Sequence, residues 1–158
     1  MRLKWFDYTN EYADIIESWL DDETIKNTGC NNGWDNYINY WRSDAQTRWN
    51  ENFFVKIVFD GEKPCSVISI GMDKCCEITV SEFIVAPEMR GKGLGTAVLA
   101  ELLHNGETII GKTILLAEAV IYPSNVVSQN IFTKAGFTFD HSHPDGDAWY
   151  YRYNRLER

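Results

Sequence analysis

Apolar positions along the chain change their spacing several times, and each spacing predicts a type of element. Short segments in which apolar residues alternate or run together are typical of β-strands, whereas a spacing of three or four is typical of amphipathic helices. The predicted strands cover residues 3–8, 52–59, 65–71, 76–86, 113–121, 137–140 and 148–153. The predicted helices cover residues 11–20 (capped by Asn10), 34–41, 94–104 (ended by Asn105-Gly106) and 123–135 (ended by Gly136).

The order of these segments predicts a mixed α/β fold. The strand, helix and strand within residues 76–121 form a crossover unit, which is right-handed and joins parallel neighbours. Turn signals at residues 60–64 and 140–147 predict hairpins, and hairpins make the other strand pairs antiparallel. Residues 21–33 carry acids, asparagines and two glycines, and we expect a loop there. The expected fold is a largely antiparallel sheet with one central parallel strand pair and helices on both faces.

The strand with the sequence CEITVSEFIVA contains a change of phase. Ile78 and Val80 are apolar between polar neighbours, whereas Phe83 and Val85 are apolar on the opposite phase. A period-2 pattern that slips by one residue indicates a β-bulge, here near Ser81–Glu82. The other interpretation, a stretch that is buried on both faces, stays open at this point.

Length and charge narrow the class of protein. The 158 residues suggest one domain, residues 1–158, and the formal net charge is −8. An acidic surface repels nucleic acid and anionic lipid, so we expect neither as a partner, while a cationic substrate is compatible. The chain shows no signal-peptide pattern and no apolar run of bilayer length, so we expect a cytoplasmic protein with free thiols. Its cysteines, which lack zinc-ligand spacing, are Cys30, Cys65, Cys75 and Cys76.

Residues 90–95 (RGKGLG) lie between the strand with the phase change and the next helix. The first N–H groups of a helix are unpaired, its dipole adds partial positive charge, and glycines allow an anion to come close. Arg90 and Lys92 can add charge-assisted hydrogen bonds. The segment therefore predicts a pyrophosphate site, although a plain strand-to-helix turn is the other interpretation. The glycine spacing fits neither a nucleoside-triphosphate loop nor a dinucleotide fingerprint.

Two segments carry a family resemblance. Residues 90–95 resemble the R/Q-x-x-G-x-G/A signature of the GNAT acetyltransferase superfamily, and residues 125–137 resemble its N-x-x-S/A…K-x-G-F helix. The resemblance covers residues 50–154 well and the first third of the chain more loosely. The segments ESWLDDETI, GKGLGT, KAGF and PDGDAWYY are similar to the aminoglycoside 6'-N-acetyltransferase and ribosomal-protein N-acetyltransferase branches.

This resemblance implies a GNAT-like fold and transfer of an acetyl group from acetyl-CoA to a primary amine by direct attack in a ternary complex. The loop backbone would bind the pyrophosphate, and the strand beyond the bulge would pair with the pantetheine. The cofactor-binding residues implied in this way are Phe83, Ile84, Val85, Arg90, Gly91, Lys92, Gly93, Leu94, Gly95, Thr96 and Asn125. Trp34 and Tyr37 would bind the acceptor, with Trp41 beside them, although their helical spacing is also typical of a core stripe.

Direct transfer requires a neutral amine, and because a lysine-like amine has a pKa of about 10.4, a base must take its proton. Glu82 is the first candidate because it lies at the phase change. Glu118 is the second, since a carboxylate in an apolar strand is costly unless it is paired, and Glu77 is the third. Many relatives carry a tyrosine as general acid, and its place is taken here by Phe132. Ser128, one helical turn earlier, is the candidate donor to the leaving sulfur.

Several alternatives stay open at the level of sequence. A non-catalytic GNAT-like module would bind acyl-CoA without turnover, and an enzyme could prefer a longer acyl chain. The acceptor could be an aminoglycoside, a polyamine, a small amine or a protein N-terminus, and a homodimer is compatible with the sequence. The acids at 21–23 could attract a cation, but such runs are usually solvated. We expect no metal, because the histidines and aspartates at 140–147 surround a Pro-Asp-Gly hairpin signal.

Overall fold

The computed structural model describes residues 2–48, 52–73 and 77–157 of the chain. Within these residues the strands are β1 (Leu3–Asp7), β2 (Phe53–Asp60), β3 (Lys63–Met72), β4 (Glu77–Val85), β5 (Leu116–Ile121), β6 (Thr138–Ser142) and β7 (Trp149–Asn154). The α-helices are α1 (Ala13–Ser18), α2 (Asp22–Thr28), α3 (Trp34–Arg48), α4 (Leu94–His104), α5 (Gly106–Ile110) and α6 (Val126–Lys134). Short 3₁₀ turns are Asn10–Tyr12, Pro87–Met89 and Arg155–Glu157.

The strands form one sheet with the order β1-β2-β3-β4-β5-β7-β6. β4 and β5 pair in parallel, and the other neighbours in this order pair antiparallel. The β4–β5 connection runs through α4 and α5, as a crossover between parallel strands requires. The predicted mixed sheet, its central parallel pair and its hairpins are therefore confirmed.

Helices cover both faces of the sheet, and each face has its own core. On one face the helices α4, α5 and α6 bury Leu99, Leu102, Leu103, Ile109, Ile110 and Phe132. On the other face α1 and α3 bury Ile16, Trp34 and Ile38 against Ile57, Val67 and Ile84 of β2, β3 and β4. None of the helices in the described residues has the length and apolar composition needed to span a bilayer.

Residues 21–33 differ from the expected loop because they contain α2. The Asp21 carboxylate accepts a hydrogen bond of 2.8 Å from the Thr24 N–H and so caps the helix, and Gly29 ends it with a φ of 76°. The helix is polar on most of its surface, so the apolar spacing gives no signal for it. The cap residues at its two ends were the signal that could have located it.

Three smaller predictions are also corrected. Asn10 lies inside a 3₁₀ turn and does not cap α1, which begins at Ala13. α4 ends at His104 with Asn105 as its C-cap, as predicted, but Gly106 is not part of the stop: it begins α5, whose C-cap is Gly111 with a φ of 74°. β5 begins at Leu116, three residues after the start of the predicted strand 113–121, and its Val120 is 47% exposed while the neighbours of Val120 in sequence are buried.

β4 contains the predicted bulge. Ser69 of β3 lies opposite Glu82, and the next residue of β3 lies opposite Val80, so Ser81 is the extra residue. Val80 before the bulge and Phe83 after it both pack against the core beneath α4. An odd and an even position share one face only because the bulge shifts the phase of the strand. The bulge interpretation of the sequence pattern is thus confirmed.

β4 and β5 separate beyond the bulge. Their parallel pairing extends from Glu77 and Leu116 to Val80 and Ala119. β5 continues beside β7 after that point, and residues 81–85 of β4 continue beside β3. The two central strands therefore diverge and leave a gap in the middle of the sheet, which positions the candidate site.

Candidate active site

A cleft of about 590 Å³ opens where β4 and β5 diverge, and residues from both strands line it. The start of α6 and Gly91 contribute to its lining, as do α2 and α3. A cleft of this size between diverging elements is typical of a small-molecule site. Of the residues predicted for the site, it is lined by Tyr37, Glu82, Phe83, Ile84, Val85, Arg90, Gly91, Asn125 and Ser128.

Glu82 lies directly after the bulge residue and is 8% exposed. The Tyr37 hydroxyl of α3 donates a hydrogen bond to its Oε2, and the Phe83 N–H donates one of 3.1 Å to its Oε1. Burial raises the pKa of Glu82 to about 7, and these two hydrogen bonds oppose the rise. A carboxylate with this pKa at the edge of a cleft is suited to accept a proton near neutral pH.

The aromatic residues of α3 divide between the core and the cleft. Trp34 is 1% exposed, and its ring centroid lies 6.2 Å from that of Tyr37. Trp34 therefore supports Tyr37 from the core and does not line the cleft. Tyr37 and Trp41, one helical turn further on, do line it. Burial and the neighbouring Glu82 carboxylate raise the pKa of Tyr37, so its hydroxyl keeps its proton and acts as a donor.

The two other candidate carboxylates belong to an ion-pair cluster outside the cleft. Glu118 of β5 has Oε2 3.9 Å from Nε of Arg152 on β7, and Glu77 of β4 accepts a hydrogen bond from the same guanidinium. Burial raises the pKa of Glu118, and the charge of Arg152 opposes the rise. Neither carboxylate lines the cleft. Their pairing with Arg152 gives them a structural role on the sheet.

The glycine loop has the backbone of an anion site. Gly91 and Gly93 have φ values of 74° and 80°, and a Cβ atom on either would enter open space. Gly93 is the N-cap of α4 and supplies no side-chain acceptor for the first-turn N–H groups. These N–H groups are the ones that bind anions at helix starts. Gly95 serves packing, since its Cβ would lie 3.0 Å from Ile131 of α6.

The Arg90 guanidinium binds three protein acceptors. Its Nε donates to the Val85 carbonyl at 3.1 Å, one Nη donates to Oδ2 of Asp21 at 2.7 Å, and the other Nη donates to Oγ1 of Thr24 at 2.7 Å. These bonds use three of the five N–H groups of the side chain. Arg90 thus connects the glycine loop to the end of β4 and to the start of α2.

Three further predicted residues lie in the loop or in the first turn of α4. Lys92 is exposed, Leu94 is buried and Thr96 is half-buried. The side chain of Leu94 packs in a small core with Val58 and Val98, so its contribution to a ligand is limited to the backbone. None of these three residues is among those that line the cleft.

The start of α6 presents one polar and one apolar position to the cleft. Asn125 caps the helix, with its Oδ1 accepting a hydrogen bond of 3.2 Å from the Ser128 N–H. Phe132, one turn after Ser128, is buried, and its ring centroid lies 6.2 Å from that of Phe83 and 5.0 Å from that of Phe137. Ser128 therefore offers a hydroxyl at this wall, and Phe132 offers apolar surface.

The described cysteines are unsuited to nucleophilic catalysis. Cys30 and Cys65 are free and buried. Burial raises the pKa of Cys30 to about 12 and that of Cys65 to about 11. Such thiols are protonated at neutral pH, and the nucleophile would be the thiolate. Cys75 and Cys76 lie outside the described residues.

Three polar residues come together in the hairpin between β6 and β7. The ligand atoms of His143, Asp145 and Asp147 lie within 4.8 Å of one another. The turn itself accounts for this, because the Gly146 N–H donates to the His143 carbonyl at 2.7 Å. Both aspartates are exposed, and the cluster lies apart from the residues that line the cleft.

The chain belongs to the acetyltransferase (GNAT) family, whose sequence profile matches residues 12–137. The family resemblance of the two motifs is thereby confirmed, and so is the class of enzyme, a GNAT-type N-acetyltransferase. Comparison with curated protein sequences gives no match.

Solved structures with this fold agree over nearly the whole chain. AAC(6')-Ib in complex with paromomycin and acetyl-CoA is 19% identical with a TM-score of 0.75, and the match covers 99% of this chain and 96% of that chain. Spermidine N-acetyltransferase from Vibrio cholerae in complex with CoA and spermine is 11% identical, with a TM-score of 0.74 and coverage of 98% and 96%. The ribosomal-protein-S18-alanine N-acetyltransferase from Escherichia coli is 14% identical, with a TM-score of 0.66 and coverage of 97% and 94%.

Proposed function

We propose that the chain, working as one domain, transfers an acetyl group from acetyl-CoA to a primary amine by direct attack in a ternary complex. The observation that carries the proposal is a cleft lined by the bulged strand with its buried Glu82 and by Gly91, where the glycine loop leading to α4 begins. Membership of the acetyltransferase family supports it, as do similar structures that hold acetyl-CoA or CoA.

One side of the cleft fits acetyl-CoA. This side, the cofactor wall, consists of residues 81–85 of β4, of Asn125 and Ser128 at the start of α6, and of the glycine loop 90–96, which reaches the lining of the cleft at Arg90 and Gly91. The N–H groups of the loop and of the first turn of α4 would hold the pyrophosphate. Residues 81–85 of β4 run beside the gap left by β5, where their backbone can bond to amides of the pantetheine. The bulge at Ser81 frees backbone groups that can polarise the thioester carbonyl.

The other side fits a cationic amine. This side, the acceptor wall, consists of α2 from Glu23 to Thr28 together with Tyr37 and Trp41 of α3. Its lining combines aromatic rings, on which a cation can rest, with the carboxylate of Glu23. The net charge of −8 would draw such an amine towards the protein. The similar structures with spermine and paromomycin hold polyamine-type ligands, which agrees with this class.

Glu82 takes the proton that the attacking amine must lose, directly or through one water molecule. The amine nitrogen attacks the thioester carbonyl carbon, a C–N bond forms, and the C–S bond breaks. The leaving sulfur carries the electron pair, and Ser128 or water supplies its proton. Tyr37 holds the Glu82 carboxylate through its hydroxyl. One proton is thus taken from the amine and one is given to the thiolate.

A thiol-release assay with a panel of amines tests this function. The panel contains kanamycin, spermidine, a small monoamine and a peptide with a free N-terminus, each supplied with acetyl-CoA. We expect release of CoA that depends on at least one amine and is lost in the Glu82→Gln variant. CoA binding by calorimetry without release for any amine would instead support the non-catalytic acyl-CoA-binding alternative. A second series with longer acyl-CoA donors measures the acyl-chain preference.

A further inference from the structure

α2 is held in place by polar contacts more than by burial. All seven of its residues are described, and only the Thr24 side chain is buried, at 8% exposure. Most helices in proteins gain their stability from packing an apolar face, and helices this short are marginal by themselves. The two groups of this segment that Arg90 binds are its N-cap, Asp21, and its one buried residue, Thr24. The Arg90 guanidinium is therefore the main polar connection between α2 and the sheet.

The same guanidinium is adjacent to the glycine loop. Gly91 follows Arg90 directly and has the left-handed φ of 74° with which the loop begins. The Nε of Arg90 is held by the Val85 carbonyl at the end of β4. Arg90 therefore adjoins the loop and at the same time bonds to the end of β4, to Asp21 and to Thr24.

α2 also shapes the acceptor side of the cleft, to which it contributes Glu23, Thr24, Asn27 and Thr28. We propose that Arg90 is a positioning residue that couples the two walls of the cleft through its bonds to Asp21 and Thr24. Occupation of the glycine loop by CoA fixes Arg90, and Arg90 then fixes α2 in the position that an acceptor amine requires. This inference rests on the proposed function, because it assigns the loop to CoA and the α2 side to the amine.

The bonds of Arg90 to Asp21 and Thr24, which together form the clamp, persist over the pH range in which the protein is assayed. Hydrogen bonds from Thr24 and the charge of Arg90 lower the pKa of Asp21 to about 2. The carboxylate is therefore ionised at any pH at which the protein is assayed. Coupling of this kind is reciprocal, so an amine that binds against α2 must tighten CoA binding by the same factor.

Hydrogen exchange of the α2 amides with and without CoA tests the coupling. In the wild-type protein we expect saturating CoA to slow exchange in residues 24–28 by about fivefold or more, the lower end of usual coupling energies. The Arg90→Lys and Thr24→Val variants should bind CoA but lose this protection. Asp22→Asn is the matched control, since Asp22 is exposed and one position from Asp21. It should keep the protection.

Kinetics provide a readout that a merely structural role would not change. With an amine that is active in the screen, both clamp variants should raise KM for the amine about fivefold. Because the coupling is reciprocal, Thr24→Val should raise KM for acetyl-CoA at saturating amine by about the same factor, while its affinity for CoA without amine changes less than about twofold. If Arg90→Lys loses CoA affinity while Thr24→Val behaves like the wild type, Arg90 is a phosphate ligand and the coupling is wrong.

The failure of each proposal is recognisable. A wild-type protein that does not bind CoA overturns the proposed function and the coupling together. A wild-type protein that binds CoA without slower exchange in α2 overturns the coupling alone, and this measurement requires no variant. Melting temperatures of the variants show whether a lost effect is due to unfolding.

Discussion

The two walls of the cleft differ in whether backbone groups or side chains form them. The cofactor wall depends on backbone: two left-handed glycines, the first N–H groups of α4 and the strand edge beyond the bulge. The acceptor wall depends on side chains from distant parts of the sequence, since Tyr37 bonds to Glu82 across 45 positions and Thr24 bonds to Arg90 across 66. A site built from backbone is insensitive to most side-chain substitutions, whereas a site built from side chains can lose its function when a single side-chain atom is replaced. The effects of substitutions on the two walls should therefore differ in kind as well as in size.

The largest expected effect is at Glu82, where the two walls meet. Glu82→Gln keeps the size of the side chain and an oxygen for the Tyr37 hydroxyl, but it removes the carboxylate that we propose as the base. We expect thiol release at neutral pH to fall by about 10²–10⁴-fold, the usual contribution of a general base, while calorimetry gives an unchanged CoA affinity. Glu118→Gln makes the same charge change in the Arg152 cluster and should leave the rate within about twofold. A reversed result would place the base on β5.

The same variant has a stability signature with a definite sign. Because burial raises the pKa of Glu82 to about 7, the folded state binds a proton more tightly than the unfolded state does. Stability therefore falls as the pH rises from about 4.5 to 7, where the carboxylate ionises in the interior. Glu82→Gln should melt at a higher temperature than the wild type at pH 8, and the difference should shrink at pH 5. A melting temperature below wild type at pH 8 would contradict the burial argument.

The next effect is on the backbone of the cofactor wall. Gly93→Val forces a β-branched residue into a φ of 80° and places methyl groups in the open space where an anion would lie. We expect CoA affinity to fall by about 30-fold, or ~2 kcal/mol, in calorimetry. Gly61→Val is the matched control, because Gly61 has a φ of 65° and open space in the β2–β3 turn. It should cost similar stability but keep CoA affinity.

Gly95→Val separates packing from ligand contact on the same loop. Its side chain would press on Ile131, so the fold itself should be destabilised by about 1–3 kcal/mol. Close packing against Ile131 is thus a second reason for a glycine at position 95, beside the predicted close approach of a phosphate. Denaturant unfolding of Gly95→Val beside Gly93→Val distinguishes the two reasons.

A smaller effect is expected at the α6 end of the cofactor wall. Ser128→Ala removes the hydroxyl that would protonate the leaving sulfur, and turnover should fall by about tenfold, because a thiolate leaves tolerably without help. Adding Phe132→Tyr should restore part of the loss, since both positions line the cleft one turn apart. Ser124→Ala, at an exposed position outside the lining, is the control. Wild-type turnover in Ser128→Ala would show that the sulfur leaves unassisted or through water.

The smallest effect is expected at Tyr37 on the acceptor wall. The Tyr37 hydroxyl stabilises the Glu82 carboxylate, so Tyr37→Phe should raise the pKa of that group by about one unit. The acidic limb of the pH profile of kcat/KM should move to higher pH by the same amount. Activity at pH 7 would fall about fivefold and approach the wild-type value near pH 9. A limb that stays in place would show that the hydroxyl acts only as a contact for the amine.

Local patterns predict most of the cofactor wall and little of the acceptor wall. The phase change around Ser81 and the glycines at 91 and 93 are signals within a few residues, so strand, bulge and loop could be predicted together. α2 has no apolar period, and its contact with Arg90 depends on how distant segments pack. Trp34 and Tyr37 share one helical stripe, and which of them is buried depends on packing against distant segments, such as Tyr8, whose ring lies 5.8 Å from that of Trp34.

The short parallel pairing of β4 and β5 leaves a line across the sheet along which backbone pairing is limited. The antiparallel strands β1 to β4 lie on one side of it and β5 to β7 on the other, and backbone pairing across it stops at Val80 and Ala119. Pairing across this line involves four residue pairs, compared with seven between β3 and β4 and six between β5 and β7. A molecule that lies in the gap bonds to both halves and opposes their separation. CoA should therefore stabilise the fold. Above saturation, the melting temperature should rise in proportion to the logarithm of the CoA concentration.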